Sequence, residues 1–294
     1  MSFRTFRVPV SYGASLFAEE IVPADPIRPG TPTVVLAHGW CLDRTSWHKI
    51  IAGVQHERPV RIVVYDQRGH GRSSMGQNHE PSVRILGDDL FEVIHATTPQ
   101  GPLVVAGHSM GGMSIMAYAG LHHDHFSERV HGVVLASTAC SLEGRNAIPL
   151  EGLLMAVASR APGIPPRLFV PRIVQGRLLF GAGADKADIR HAIAQVKNTK
   201  LPTIGQFFYA IEKHNEAESL AHFVDVPTHI VAGGDDRLIP VPIAEALRDL
   251  IPDSTLHVLD DVGHMSTYEA SDLIVESILT MLDTPLRKRL QQGG

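Results

Sequence analysis

The stretch Gly107-His108-Ser109-Met110-Gly111 reads G-x-S-x-G, and it stands between two runs of different character. Before it lies the apolar segment Leu103-Val104-Val105-Ala106; after it comes a helix-compatible run, Gly112 to Leu121, rich in Ala, Met and Ile. The order is strand, sharp turn, helix. A serine hydroxyl is a poor nucleophile until the backbone thrusts it toward a base. A turn this tight crowds the residues two before and two after the serine, and glycine at both places relieves the crowding.

A nucleophile needs a base, and the base needs an orienting acid. Both are found downstream, in the order Ser, Asp, His. His229-Ile230-Val231-Ala232 leads into Gly233-Gly234-Asp235-Asp236-Arg237-Leu238-Ile239-Pro240, which sets a carboxylate at the end of a strand. Leu256-His257-Val258-Leu259 leads into Asp260-Asp261-Val262-Gly263-His264-Met265, which sets a histidine on a loop after another strand. Upstream, Thr33-Val34-Val35-Leu36-Ala37 runs into His38-Gly39-Trp40, a loop able to aim a backbone N–H at a developing oxyanion.

Taken together, these segments resemble the α/β-hydrolase superfamily over nearly the whole chain. The family pattern stands here as His38-Gly39-Trp40, Tyr65-Asp66-Gln67-Arg68-Gly69-His70-Gly71-Arg72-Ser73, Gly107-His108-Ser109-Met110-Gly111-Gly112, Gly233-x-x-Asp236-x-x-x-Pro240 and Gly263-His264. Within the family the chain resembles the capped serine esterases and the cofactor-free haloperoxidase-like enzymes. Many of the latter carry proline after H-G-W, where this chain has Cys41.

The resemblance implies Ser109 as nucleophile, His264 as base and Asp236 as orienting acid, with the backbone N–H groups of Trp40 and Met110 as the oxyanion hole. Family spacing favours Asp236 over Asp235, and Asp260 and Asp261 read as turn residues. Trp40, Phe207 and Phe208 are the pocket candidates; as neighbours on a helix, only one of the two phenylalanines is expected to face a ligand. His38, His70 and His108 are expected to buttress loops. His122-His123-Asp124-His125 could suggest a metal, but polar residues at a helix end explain it better. No metal and no cofactor is expected.

The chain has 294 residues, 44% of them apolar, enough for one large α/β domain with an insertion. Its net charge of -5 gives no sign of nucleic-acid binding. Two cysteines, Cys41 and Cys140, make no disulfide framework. Met1 to Pro26 lacks the apolar core of a secretion signal, and no run reaches the roughly 18 apolar residues of a membrane span. The expectation is a soluble cytoplasmic protein. Arg287-Lys288-Arg289 reads as a solvated helix end.

The expected fold class is α/β: a mostly parallel central sheet covered by helices on both faces, with an inserted helical cap. Phe3 to Glu20 reads as a hairpin turning at Ser11-Tyr12-Gly13-Ala14. Strands are expected over Val60 to Tyr65 and Val130 to Ala136. A helix is expected from Pro81 to Ala96, started by its proline, and a last one over Ser266 to Leu282. From Ser141 to Asn215 the rhythm changes to helical patches broken at Pro149, Pro162, Gly163, Pro165, Pro166, Pro171, Gly181 and Gly183. Residues 141–215 are therefore expected to be the cap, and residues 1–140 with 216–294 the core domain. Leu153, Leu154, Met155, Phe169, Phe180, Phe207, Phe208 and Tyr209 are expected mostly as the cap's interior.

The expected activity is cleavage of a carboxylic ester of a small to medium hydrophobic substrate through an acyl-enzyme. A carbon–carbon bond hydrolase uses the same triad, and perhydrolase chemistry is disfavoured by Cys41. A ligand-binding or signalling protein on a hydrolase scaffold is the rival from another class. Epoxide hydrolases and haloalkane dehalogenases of this fold place aspartate where Ser109 stands.

Overall fold

The structure, a computed structural model, describes residues 1–143, 151–162, 176 and 178–284. Strands β1 (Ser2–Val10) and β2 (Ala14–Val22) form the expected hairpin about Ser11–Gly13. There follow β3 (Thr33–Ala37), α1 (His48–Glu57), β4 (Ile62–Tyr65), α2 (Val83–Thr97), β5 (Leu103–His108), α3 (Met110–Leu121), α4 (His123–Arg129) and β6 (Val130–Ala136). Helices α5 (Glu151–Ser159), α6 (Lys186–Asn198) and α7 (Leu201–Glu212) come next. The alternation resumes with β7 (Thr228–Gly233), α8 (Val241–Leu250), β8 (Thr255–Leu259), α9 (Ser266–Glu269) and α10 (Ser271–Asp283).

The eight strands form one sheet in the order β1-β2-β4-β3-β5-β6-β7-β8. It is parallel except where β2 pairs with β1 and β4. The central strands read as unbroken apolar runs because both of their faces are buried. Val35, Val63, Val105, Val133 and Ile230 enter one core layer with α2, α3 and α8. Their neighbours Val34, Ile62, Val104, Val134 and Val231 enter the other, with α1 and α10. Helix α3 is buried all round from Met110 to Ala119, so its sequence shows no polar face.

Some boundaries differ from the sequence reading. Helix α2 begins at Val83, capped by Ser82, whose hydroxyl accepts from Ile85 N–H; Pro81 lies outside it. A serine side chain satisfies an orphan N–H of the first turn, and proline has none to offer. Strand β4 begins at Ile62, not Val60. The helix after the serine opens at Met110, before the expected Gly112. The last helix is broken at Ala270, whose backbone leaves the helical range. The break frees Tyr268 from the main core, and it packs with Leu42, Phe180, Ala192 and Met265.

Between β6 and β7 the chain leaves the sheet, and the excursion is closed at its root by an antiparallel bridge between Ser141 and Asn215. Helices α5 and α7 pack closely: a Cβ on Gly205 would meet Ser159 N at 2.3 Å and Met155 O at 2.5 Å. Leu153 and Leu154, expected in an interior, are instead 64% and 62% exposed. The side of α5 that carries Met155, Ala156 and Ser159 is the one turned to α7. Phe180, Phe207 and Phe208 are buried, and Tyr209 donates its hydroxyl to Gly152 O. Phe169, Pro149, Gly163, Pro165, Pro166, Pro171 and Arg287-Lys288-Arg289 lie outside the described residues. Among the described residues no helix is long and apolar enough to cross a membrane.

The chain runs from β3 to β4 on one side and then crosses to β5 on the other. The crevice beyond the carboxyl ends of β3 and β5 is thus the switch point of the sheet, where ligands bind in open α/β folds.

Candidate active site

Ser109 leaves β5 and caps α3 with φ 52° and ψ −120°, a region that non-glycine residues rarely occupy. Its surroundings hold it there. Ser109 N–H donates to Ala136 O at 2.9 Å, and its carbonyl accepts from Gly112 N–H at 2.9 Å and from Thr138 Oγ1 at 2.7 Å. The flanking glycines are needed for closeness. A Cβ on Gly111 would lie 2.0 Å from Ala37 O, and one on Gly107 would lie 2.5 Å from Gly112 N.

The turn presents the hydroxyl to a histidine from the far end of the sheet. Ser109 Oγ is 3.0 Å from His264 Nε2, and His264 Nδ1 is 2.8 Å from Asp236 Oδ2. Asp236 Oδ1 accepts from the N–H groups of Leu238 and Ile239 at 2.8 and 2.9 Å. One carboxylate oxygen is thereby pinned by backbone while the other faces the imidazole, which fixes the ring's orientation. All three side chains are buried. Asp235 is exposed, and its backbone N–H is spent on Val262 O. Asp260 and Asp261 lie in the turn that follows β8.

The loop after β3 lies against the serine. A Cβ on Gly39 would be 2.6 Å from His108 Nδ1 and 3.3 Å from Ser109 Cβ. Leu42 N–H donates to Gly39 O at 3.2 Å, closing a turn with Trp40 and Cys41 at its centre. Cys41 has φ 63°, the left-handed conformation that a type II turn demands at that place. Proline is locked near −65° and could not follow this path. The Cys41 thiol is buried, and burial pushes its pKa up, which suppresses the thiolate. Met110 is the first residue of α3, so its N–H has no partner within the helix.

Three uncharged histidines brace these loops. His38 Nε2 accepts from Gln67 N–H at 2.9 Å, and His70 Nε2 accepts from Cys41 N–H at 3.2 Å. His108 Nε2–H donates to the carbonyl of His264 at 2.8 Å. Complete burial drives their pKa values down, to about 4 for His38 and about 3 for His70 and His108. They stay neutral, and a neutral ring can both donate and accept. Gln67, which the sequence reading did not single out, donates to His38 O and accepts from Ser114 Oγ, which also donates to Met110 O. Arg68 is fully buried and doubly hydrogen-bonded to Asp89, at 2.8 and 2.6 Å. No local spacing announces Gln67, Ser114, Thr138 or Asp89, because each acts across tertiary contacts.

The two phenylalanines of α7 take different places. Phe207 is fully buried with Leu86, Met110 and Ala210, its ring 5.3 Å from that of His70. Phe208 lies 6.1 Å from the ring of Trp40. His122 contacts Asp88, and His125 contacts the Tyr118 hydroxyl. Among the described residues no three metal-capable side chains gather.

Comparison with known proteins is consistent with this geometry. A monoacylglycerol lipase of Mycolicibacterium smegmatis is 28% identical over 231 residues, spanning 76% of this chain and 77% of its own. A non-heme haloperoxidase of Rhodococcus erythropolis is 24% identical over 270 residues, spanning 85% and 92%. In fold, an esterase from Exiguobacterium antarcticum superposes with a TM-score of 0.80 at 18% identity, covering 96% of this chain and 100% of that one. The model of the family described as serine aminopeptidase, S33, matches residues 29–271, and the chain belongs to that family of α/β-hydrolase enzymes.

Proposed function

We propose that the chain is a serine hydrolase that cleaves carboxylic esters of small to medium hydrophobic substrates through an acyl-enzyme. The observation that carries the reading is the line from Ser109 Oγ to His264 Nε2 at 3.0 Å and from His264 Nδ1 to Asp236 at 2.8 Å. Ser109 Oγ attacks the ester carbonyl as His264 Nε2 takes its proton. Asp236 holds the ring in the tautomer with Nδ1 protonated and stabilises the imidazolium that forms. The N–H groups of Trp40 and Met110 stabilise the oxyanion. His264 then returns the proton to the departing alcohol. In the second half it takes a proton from water, whose oxygen attacks the acyl carbon, and then gives that proton to Ser109 Oγ as the acid departs.

Residues 141–215 act in this reading as a cap over the site, an assignment supported by the Ser141–Asn215 bridge and by the contact of Phe208 with Trp40. An apolar acyl group fits the aromatic character of that contact, and the lipase name of one relative points the same way. The path of Cys41, closed to proline, keeps the perhydrolase alternative disfavoured. The deciding experiment is covalent labelling. A fluorophosphonate should attach to Ser109 and fail to attach to Ser109→Ala, while the wild type turns over a p-nitrophenyl ester and the variant does not. Labelling at another residue would sink the proposal.

A further inference from the structure

The backbone from Gly263 to Met265 is tied to three different parts of the molecule. His264 O accepts from His108 Nε2 at 2.8 Å, and Met265 N–H donates to Leu179 O at 3.1 Å. Gly263 N–H donates to Glu269 Oε1 at 3.3 Å, and the same oxygen accepts from Gly181 N–H at 2.8 Å. Leu179 and Gly181 belong to the excursion between β6 and β7, whereas Gly263, His264 and Glu269 follow β8. One carboxylate oxygen therefore joins the histidine loop to the excursion.

The two segments touch backbone to backbone at this point. A Cβ on Gly181 would lie 2.0 Å from Asp261 O, and one on Gly263 would lie 2.5 Å from both Gly181 N and Phe180 C. Only side-chain-free residues allow the approach, and at that spacing a small displacement of either segment displaces the other.

The structure assigns Glu269 as a positioning residue: by clamping Gly181 to Gly263 it holds His264 in line with Ser109 and couples that alignment to the excursion. The assignment rests on the proposed serine-hydrolase reading. It adds that the base is held from outside the triad, by a side chain that touches neither substrate nor the reacting atoms. The clamp needs an oxygen at the right reach and does not need a charge. Its donors are neutral backbone N–H groups, and burial, the largest influence on this carboxyl, favours the uncharged form by raising its pKa.

Reach and charge can be separated by substitution. Glu269→Gln keeps the oxygen and its reach, and should leave kcat within threefold of wild type. Glu269→Asp keeps the charge but withdraws the oxygen by one methylene. It should lower kcat for p-nitrophenyl butyrate at least tenfold with KM within threefold, and slow fluorophosphonate labelling of Ser109 to the same degree. Should Glu269→Asp not fold, as judged by circular dichroism, Glu269→Met keeps the length without the acceptor and should show the same fall. Unchanged kcat and labelling rate in a folded Glu269→Asp or Glu269→Met would overturn the assignment, and so would a change confined to KM. Loss of Glu269→Gln alongside Glu269→Asp would overturn it too, by pointing to the charge. If the wild type is not labelled at Ser109, the hydrolase reading itself fails. Labelling at Ser109 that is indifferent to all three variants rejects the clamp alone.

Discussion

The supports around Ser109 are buried, whereas the described part of the excursion from residue 141 to 215 is buried on one side and open on the other. Around the serine nearly every support is a buried hydrogen bond: Gln67 to His38, His70 to the Cys41 amide, Thr138 to the Ser109 carbonyl, Arg68 to Asp89. The excursion also bonds to the sheet domain, through Gln195 to the Asp43 amide and the Tyr268 hydroxyl, Thr199 to Cys41 O and Asp188 to Lys49, while the outward side of α5 leaves Leu153, Leu154 and Val157 more than half exposed. Unmade buried hydrogen bonds cost roughly 1–3 kcal/mol each, so the loop network tolerates little change. Apolar contacts are non-directional and can be rearranged with smaller loss. Under the proposed function, the difference suits a division in which one region fixes the chemistry and the other sets the choice of substrate.

The hardest test of that division falls on the acid. Asp236→Asn should lower kcat/KM for a p-nitrophenyl ester by about 10⁴, because the amide favours the wrong imidazole tautomer. Exposed Asp235→Asn should stay within about threefold. A large loss at Asp235 would mean that the wrong carboxylate has been placed in the rigid region.

The next test uses pH and reads stability. Unfolded histidine titrates near 6.5, while His38, His70 and His108 are held neutral down to about 4, 3 and 3. Between those values the unfolded chain binds more protons than the folded one. Their contribution is therefore full above pH 6.5 and is lost as pH falls through that window. At pH 5 each histidine should cost about 2 kcal/mol, from 1.36 kcal/mol per pH unit. Urea midpoints measured from pH 7.5 to 4.5 should begin to fall just below 6.5. A flat response down to pH 5 would mean that the loop supports are not these neutral rings.

The mildest test sharpens the other side of the comparison. Phe208→Ala should shift the preferred acyl length, read as the ratio of kcat/KM for short and long esters, by about 1–3 kcal/mol. The protein should remain folded. Phe207→Ala opens a cavity beside Met110 and should instead cost stability, about 3–5 kcal/mol by urea unfolding. Exchange of these two outcomes would reverse the proposed orientation of α7 toward the ligand.

Much of the frame was legible because strands buried on both faces are written as apolar runs, and turns as glycines at set spacings. The strand, turn and helix around Ser109 can be read off eighteen or so consecutive residues, since the principle involved is local. Element starts were less legible where two local rules compete, as at Pro81 and Ser82. The break at Ala270 was hidden because no glycine or proline between Ser266 and Leu282 marks it. The roles of Glu269, Gln67 and Thr138 are not written in the pattern: they bond to partners distant in the chain, and a polar residue looks the same in sequence whether it faces water or an amide. The sequence marks Phe207 and Phe208 as a pair, but the ring contact of Phe208 with Trp40 is set by the rotation of α7, which spacing alone does not define.

The bridge between Ser141 and Asn215 has a further consequence for how such a chain can diversify. Because the two ends of the excursion are already tied together at the sheet, whatever lies above them is a closed loop grafted on one root. Lengthening a closed flexible loop costs only about 0.6 kcal/mol for each doubling of its length. The outward part of the excursion can thus vary in size and composition with little effect on the sheet domain, so long as the root is kept. The reach of that freedom ends where the graft touches the stock, as at Gly181 with Gly263, Gln195 with Tyr268, Thr199 with Cys41 and Phe207 with His70.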